Sequence, residues 1–477
     1  MAGFGILAVN NNTVRNSGTI ATSGLAFYGI LVVDGNFVDN SGRVTTTGDN
    51  AHGILARNGN LLVNSGTLLA GGIGAAGITA GDNNLIRNNG RIVSAQSDAI
   101  ALGANNELAL SAPAFIGGRL ALGANTRVTI TTGRSHSILW DLSSGTLAGG
   151  APVLIGNRVP VFYDPGTMLV ATYDPTLLDV SQDALGDVSD ALASTASRGL
   201  QTGDGWWVSA FGAAADHSGD IATLDRTVKI GGLATGHNFG AGSQFSAGLL
   251  AGIFTTQAGA KSPFLQSFKS DGTGFFAGFQ GHARQWGGWL DFGVIGGGIS
   301  HDDRRFVNHN LAVAGVSWTD NAHGSWFAIP HAAIGADFAG RSAWTITPSA
   351  QLRYAAGWIE GYGENGAYAN ATVGVRSIGV LNAAVEIAAR KMTVIGPVSL
   401  RAGYSHRSFV GDRAAEVSLL GVTRFVESGN EDTGAFYAGA GAIVAVGARG
   451  WLDLDMRADH GEGRKSFSGN ATLKIQF

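Results

Sequence analysis

The sequence predicts an all-β protein in three parts: a right-handed parallel β-helix of 24-residue coils, one linker α-helix, and a 12-stranded antiparallel transmembrane β-barrel. Three observations carry this. Residues 1–92 repeat with a period of 24. Only residues 174–203 combine a helix-start signal with an apolar stripe at helical spacing. From 204 onward, strand-length segments alternate apolar and polar residues with a period of two. The parts are β-helical repeats over 1–132, closing strands over 133–173, the helix over 174–203 and the barrel over 204–477.

The repeat comes first. Asn-Ser-Gly-x-aliphatic occurs at Asn16, Asn40 and Asn64, and recurs as Asn88-Asn89-Gly90-Arg91-Ile92. A second motif keeps the same period at Gly5-Ile6-Leu7, Gly29-Ile30-Leu31, Gly53-Ile54-Leu55 and Gly77-Ile78-Thr79. Short apolar runs between Gly/Asn turns, without helical periodicity, indicate a β-helix rather than a helical solenoid. Two readings stand for Asn16, Asn40, Asn64 and Asn88: a stacked amide ladder at one corner, or turn chemistry at positive φ. After Asn106 the register drifts, as suits the closing coils of a solenoid.

In the linker, Asp174 is the expected N-cap and Pro175 the first helical residue. Leu178, Leu185, Val188 and Leu192 share one face; Asp179, Asp183, Asp187 and Asp190 lie almost opposite. Arg198 and Gly199 are expected to close the helix. Roughly 24 residues at 1.5 Å each span a bilayer-thick pore. Acidic groups cannot face lipid, so the stripe requires water or basic partners. Arg353, Arg401, Arg457 and Lys474, on strands expected to turn polar side chains inward, are the candidates.

Twelve strands are expected to start near 205, 226, 243, 271, 286, 323, 343, 373, 395, 434, 450 and 467. In the clearest, Trp344, Ile346, Pro348, Ala350, Leu352 and Tyr354 oppose Thr345, Thr347, Ser349, Gln351 and Arg353. In a barrel the apolar face meets lipid and the polar face lines a lumen. Short links near 239–242, 284–286, 339–342, 391–396 and 448–450 alternate with longer ones near 217–225, 257–270, 302–322, 359–372, 408–433 and 460–466. That asymmetry belongs to outer-membrane barrels. Nine of the ten Trp lie here, as aromatic girdles would require. In the last strand Leu473, Ile475 and Phe477 form an apolar face ending on an aromatic residue.

Composition agrees. Among 477 residues there are 74 Gly but only 14% charged side chains, and no apolar run is long enough for a transmembrane helix. A net charge of −4 excludes nucleic acid as the expected partner. With no cysteine there is no disulfide scaffold and no thiolate metal site. The first residues lack a basic and apolar signal peptide, and Met1 falls inside a repeat, so the sequence reads as the C-terminal fragment of a longer protein.

The order of parts resembles the C-terminal portion of type V autotransporters. The matching residues are Trp207-Val-Ser-Ala-Phe211-Gly212, Ile346-Thr-Pro348-Ser-Ala-Gln-Leu352-Arg-Tyr354 and Leu473-Lys-Ile-Gln-Phe477. The resemblance implies a translocator in the bacterial outer membrane that exports and displays its own β-helical passenger. It also implies contacts with outer-membrane lipid, the barrel-assembly machinery and periplasmic chaperones, with Leu473, Ile475 and Phe477 as the assembly signal. The passenger is expected to be adhesin-like or structural, with an unidentified host or cell-surface ligand, and the protein monomeric. No paired-asparagine self-cleavage motif is recognisable in the linker.

Asp216-His217, His301-Asp302 and Asp459-His460 are the only neighbours suggestive of catalysis. Adjacent strand residues point to opposite faces, so no such pair is a dyad alone. No serine-hydrolase elbow, phosphate loop or zinc spacing is present. No catalytic, metal or cofactor site is therefore expected. The alternatives are an enzymatic passenger part upstream of Met1, or a simple porin-like channel.

Overall fold

The computed structural model describes residues 3–201, 204–240, 244–285, 287–339, 344–366, 368–394, 396–447 and 449–475. Its first third is a parallel β-helix with three stacked faces. Each coil contributes a large aliphatic residue to every face: Ile6, Ile30, Ile54 and Ile78 on the first, with Ala8, Val32, Ala56 and Ala80 beside them; Val14, Val38, Leu62 and Ile86 on the second; Ile20, Val44, Leu68 and Ile92 on the third. These columns are the core, buried nearly completely beyond the first coil. The next coils are shorter, the register becoming Ile86 to Leu108 and then Leu108 to Val128. The second face still continues to Val153–Ile155.

Asn16 donates through Nδ2 to Asn40 Oδ1 at 2.8 Å, Asn40 to Asn64 at 2.7 Å, and Asn64 to Asn88 at 2.7 Å. None of the four has positive φ, which occurs instead at Asn11, Asn50, Asn83, Asn105 and Asn125. A second column, not read from the sequence, links Asn36 to Asn60 and Asn60 to Asn84 at 3.2 and 3.1 Å. Within each column a buried amide is thus satisfied by the next coil, while Asn88, which ends the first, donates to Gly90 O of its own turn; an unmatched amide costs about 1–3 kcal/mol.

The barrel has twelve strands: Gly205–His217, Arg226–Phe239, Phe245–Lys261, Gln266–Gln285, Gly288–His309, Val316–Ala336 (continued by Phe338–Ala339), Trp344–Ile359, Arg376–Thr393, Gly396–Gly411, Thr433–Val446, Gly450–Gly461 and Arg464–Ile475. All neighbours are antiparallel, and the twelfth closes on the first from Trp207 opposite Lys474 to His217 opposite Arg464. Closure leaves no edge unpaired. In the last strand, Leu473 lies opposite Val208 and Leu452. The side chain of Ile475, and Phe477 altogether, lie outside the described residues.

Three expectations are corrected. Much of 257–270 and 302–322 is strand rather than loop, because these hairpins rise above the barrel and Val307–His309 pairs in parallel with Ser137–Leu139. The longer connections after Ile359 and Gly411 form a small sheet of their own, from Tyr362–Gly363, Thr372–Val373, Ala414–Leu419 and Val422–Glu427. The lumen is not uniformly polar. Phe211, Phe254, Phe276, Ile295 and Phe327 point inward and pack with Leu185, Val188 and Leu192 of the helix.

Deleting residues 35–58, one full coil, should shorten the β-helix and keep its protease resistance. Deleting twelve residues should put every later column out of register. Equal resistance of the two variants in limited proteolysis would refute the 24-residue coil.

Candidate functional site: the helix in the barrel lumen

The helix spans Thr176–Gln201 and is buried along almost its whole length. Asp174 Oδ1 accepts the Thr176 amide at 3.0 Å and its hydroxyl at 2.6 Å, while Oδ2 accepts the Ser267 hydroxyl. The cap therefore also ties the helix entrance to a barrel strand.

Asp179 accepts the Gly429 amide and the Ser428 hydroxyl, each at 2.7 Å, so the connection before the tenth strand folds over the mouth. Arg226 lies between Asp179 and Asp183, bonding the latter through Nε. His217 is 3.2 Å from Asp183 and 2.8 Å from Asp187. Arg407 reaches Asp187 at 3.0 Å and Asp190 at 2.8 Å, and Arg464 reaches the same pair at 3.0 and 3.3 Å. Arg353 completes the set at 2.7 Å from Asp190. Four carboxylates thus face four guanidinium groups from the second, seventh, ninth and twelfth strands. Pairing of this kind is what buried charge requires.

Of the four candidate partners, the structure brings only Arg353 into direct contact with the stripe. Arg401 turns to Asp455 at 2.5 Å and meets the helix indirectly, since Asp455 also bonds Arg198. Arg457 pairs with Asp459 at 2.6 Å and lies 3.5 Å over the Tyr437 ring. Lys474, at the opposite end of the barrel from the stripe, lies 5.9 Å over the Trp451 ring. The partners missed, Arg226, Arg407 and Arg464, sit at or beyond the ends of the clearly alternating segments. Arg407 shares the parity of Ser399, Arg401 and Ser405, and Arg464 that of Asn470 and Thr472. Extending the alternation outward would have found both.

Two glycines permit the fit. A Cβ at Gly186 would approach Arg407 Nη1 to 2.8 Å, and one at Gly199 would meet the Trp207 ring at 2.3 Å. Gly199 therefore lies within the helix as a contact site instead of ending it. Trp207, fully buried, is an internal packing residue, whereas Trp206, Trp318, Trp326 and Trp358 are exposed on the barrel exterior.

Above the rim a second attachment joins β-helix and barrel. The buried Asn308 Oδ1 accepts the Ile116 amide and Trp140 Nε1, both at 2.9 Å. Its Nδ2 donates to the carbonyls of Ile116 and Gly315 at 2.7 Å. One barrel side chain thus satisfies backbone from the last coils and from its own hairpin.

A closed twelve-stranded barrel with an apolar exterior and a helix through its lumen is an outer-membrane translocator fold. A family model described as the autotransporter beta-domain matches residues 206–456, and the chain belongs to that family. The translocator domain of autotransporter NalP from Neisseria meningitidis superposes with a TM-score of 0.51 at 14% identity, covering 64% of this chain and 100% of that one. The transport unit of AIDA-I from Escherichia coli gives 0.40 at 11%, covering 61% and 98%. The beta domain of Bordetella BrkA gives 0.39 at 15%, covering 58% and 100%. At such identities the likeness concerns fold alone. No protein of curated function matches the sequence. Autotransporter barrels reside in the outer membrane with the passenger at the cell surface, so the end carrying the β-helix is extracellular.

Replacing both Arg407 and Arg464 by Ala leaves Asp187 with His217 alone and removes two of the cations facing Asp190. Each loss of a buried partner should cost up to about 3 kcal/mol, and the loosened helix should raise single-channel conductance in planar bilayers. Unchanged conductance and urea resistance in the folded variant would show that these pairs do not hold the plug.

Proposed function

We propose that this outer-membrane translocator retains its β-helical passenger after export and displays it as a surface-attached, adhesin-like or structural rod. The observation that carries the proposal is the double attachment, with the helix paired in the lumen and the last coils seated on Asn308. Of the two, the seat on Asn308 bears on retention, because the helix would stay paired in the lumen even if the chain before it were cut. The filled lumen disfavours a porin-like channel. Assembly as a monomer, by the insertase with periplasmic chaperones, accompanies this reading.

A non-enzymatic role is favoured by the candidate pairs. Asp216 faces outward while His217 faces the helix. His301 Nε2 bonds Ser325 Oγ at 2.8 Å while Asp302 is exposed. Asp459 is held by Arg457, and His460 is exposed. Among the described residues no carboxylate bonds His301, so its contact with Ser325 lacks the third member of a triad.

The test is a version given a signal peptide and an epitope after Gly59, expressed in Gram-negative cells. The epitope should be removed by protease added to intact cells and stay with the cell pellet. Cells carrying the whole chain should also adhere to host or abiotic surfaces better than cells carrying residues 174–477 alone. An epitope cleaved only after permeabilisation would refute display, its recovery from the medium would refute retention, and equal adherence would refute the adhesin-like role.

A further inference from the structure

The chain has only six lysines, and four of them lie on one side of the barrel. Lys229, Lys261, Lys269 and Lys465 are all exposed on its outer wall near the extracellular rim. Strand register fixes their positions. Lys465, Asp216, Thr227, Gly259 and Lys269 share one level across strands twelve, one, two, three and four. Lys229 stands one outward-facing position nearer the membrane, and Lys261 one farther from it. Four strand spacings of ~4.8 Å put the outer two lysines roughly 19 Å apart. Thr227 and Gly259 between them are small, and the lysines line a groove of 770 Å³.

The acids nearby only partly offset this charge. Lys269 is 2.5 Å from Asp271. Asp216 accepts the Thr227 hydroxyl at 2.7 Å, and Asp225 is paired with Arg134 at 2.8 Å. Among the described residues, no ion pair engages Lys229, Lys261 or Lys465. The sign changes at the groove's border, where on the fifth strand Arg304 stands opposite Lys269 and pairs with Asp320, and exposed Asp302 stands opposite Asp271. Below the lysines the wall turns apolar, with Phe467, Leu233, Ile253 and Phe275 exposed toward the bilayer.

We propose that this lysine groove over an apolar wall binds a phosphorylated glycolipid of the outer leaflet, lipopolysaccharide, with phosphates between the ammonium groups and acyl chains on the wall beneath. The groove lies at headgroup depth, where basic side chains attract anionic lipid. Four cations around small residues match a headgroup bearing more than one phosphate, whereas a single phosphodiester would meet only part of the cluster. The site goes beyond export and display, for it would fix the barrel's annular lipid on one side.

The test uses the full chain refolded into detergent and offered purified lipopolysaccharide or phosphatidylglycerol at equal phosphate, with bound lipid measured after gel filtration. The native chain should retain lipopolysaccharide. A variant with all four lysines changed to Gln should retain about five-fold less, and the four-Arg variant should stay within about two-fold of native. Equal retention by the Gln variant, or loss by the Arg variant, would overturn the site. Equal retention of phosphatidylglycerol by the native chain would overturn its assignment to the glycolipid. Should the Gln variant not fold, the native chain decides: about 0.5 M salt should strip most of the lipid by screening, and retention indifferent to salt would overturn the proposal.

Discussion

Four carboxylates inside a membrane-spanning tube set the terms for the rest of the structure. Asp179, Asp183, Asp187 and Asp190 are acceptable there only with compensating charge, and Arg226, Arg353, Arg407 and Arg464 provide it from four different strands. Ionic pairs confer direction more readily than stability, because desolvation consumes much of their Coulomb energy. Here they fix the rotation and depth of a helix whose other face is held by nonspecific apolar contact with Phe254, Phe276 and Phe327. The packing supplies affinity for the lumen, and the pairs select one pose.

That pose positions the passenger. A helix fixed at depth presents Asp174 at the mouth, where Ser267 and Thr176 hold it. The chain just before it then lies beside the raised hairpin of the fifth and sixth strands. Pairing of Ser137–Leu139 with Val307–His309 extends the barrel sheet into the closing strands. The β-helix consequently ends on a template rather than on an open edge, which would otherwise invite strand addition.

Much of this architecture was legible in the sequence, since it depends on periodicity. The 24-residue repeat gave the coil length, and the columns through Ile30, Val38 and Val44 follow it. The acidic stripe was visible because helical spacing puts its residues on one face. What stayed hidden depends on where strands end. Arg226, Arg407 and Arg464 lie where alternation gives way to apparent loop composition, and Val307–His309 has the polar composition of a loop because its hairpin rises out of the membrane. Tryptophan content does not report facing, so Trp207 is indistinguishable in sequence from a girdle residue, and Gly199 suits a helix end as well as a close contact. The second amide column, Asn36–Asn60–Asn84, repeats at the same period and was available to the same reasoning.

The central claim is that the helix lies inside the barrel, and its most direct test is a cross-link. Thr195 Oγ1 lies 2.9 Å from Asn470 Oδ1 on the twelfth strand, and the chain has no cysteine of its own. With Thr195→Cys and Asn470→Cys introduced together, mild oxidation of the folded protein should close a disulfide. That bond would alter migration on non-reducing gels after heat unfolding, and reduction should reverse the change. Folded barrel that never cross-links under oxidation would contradict a helix held in the lumen.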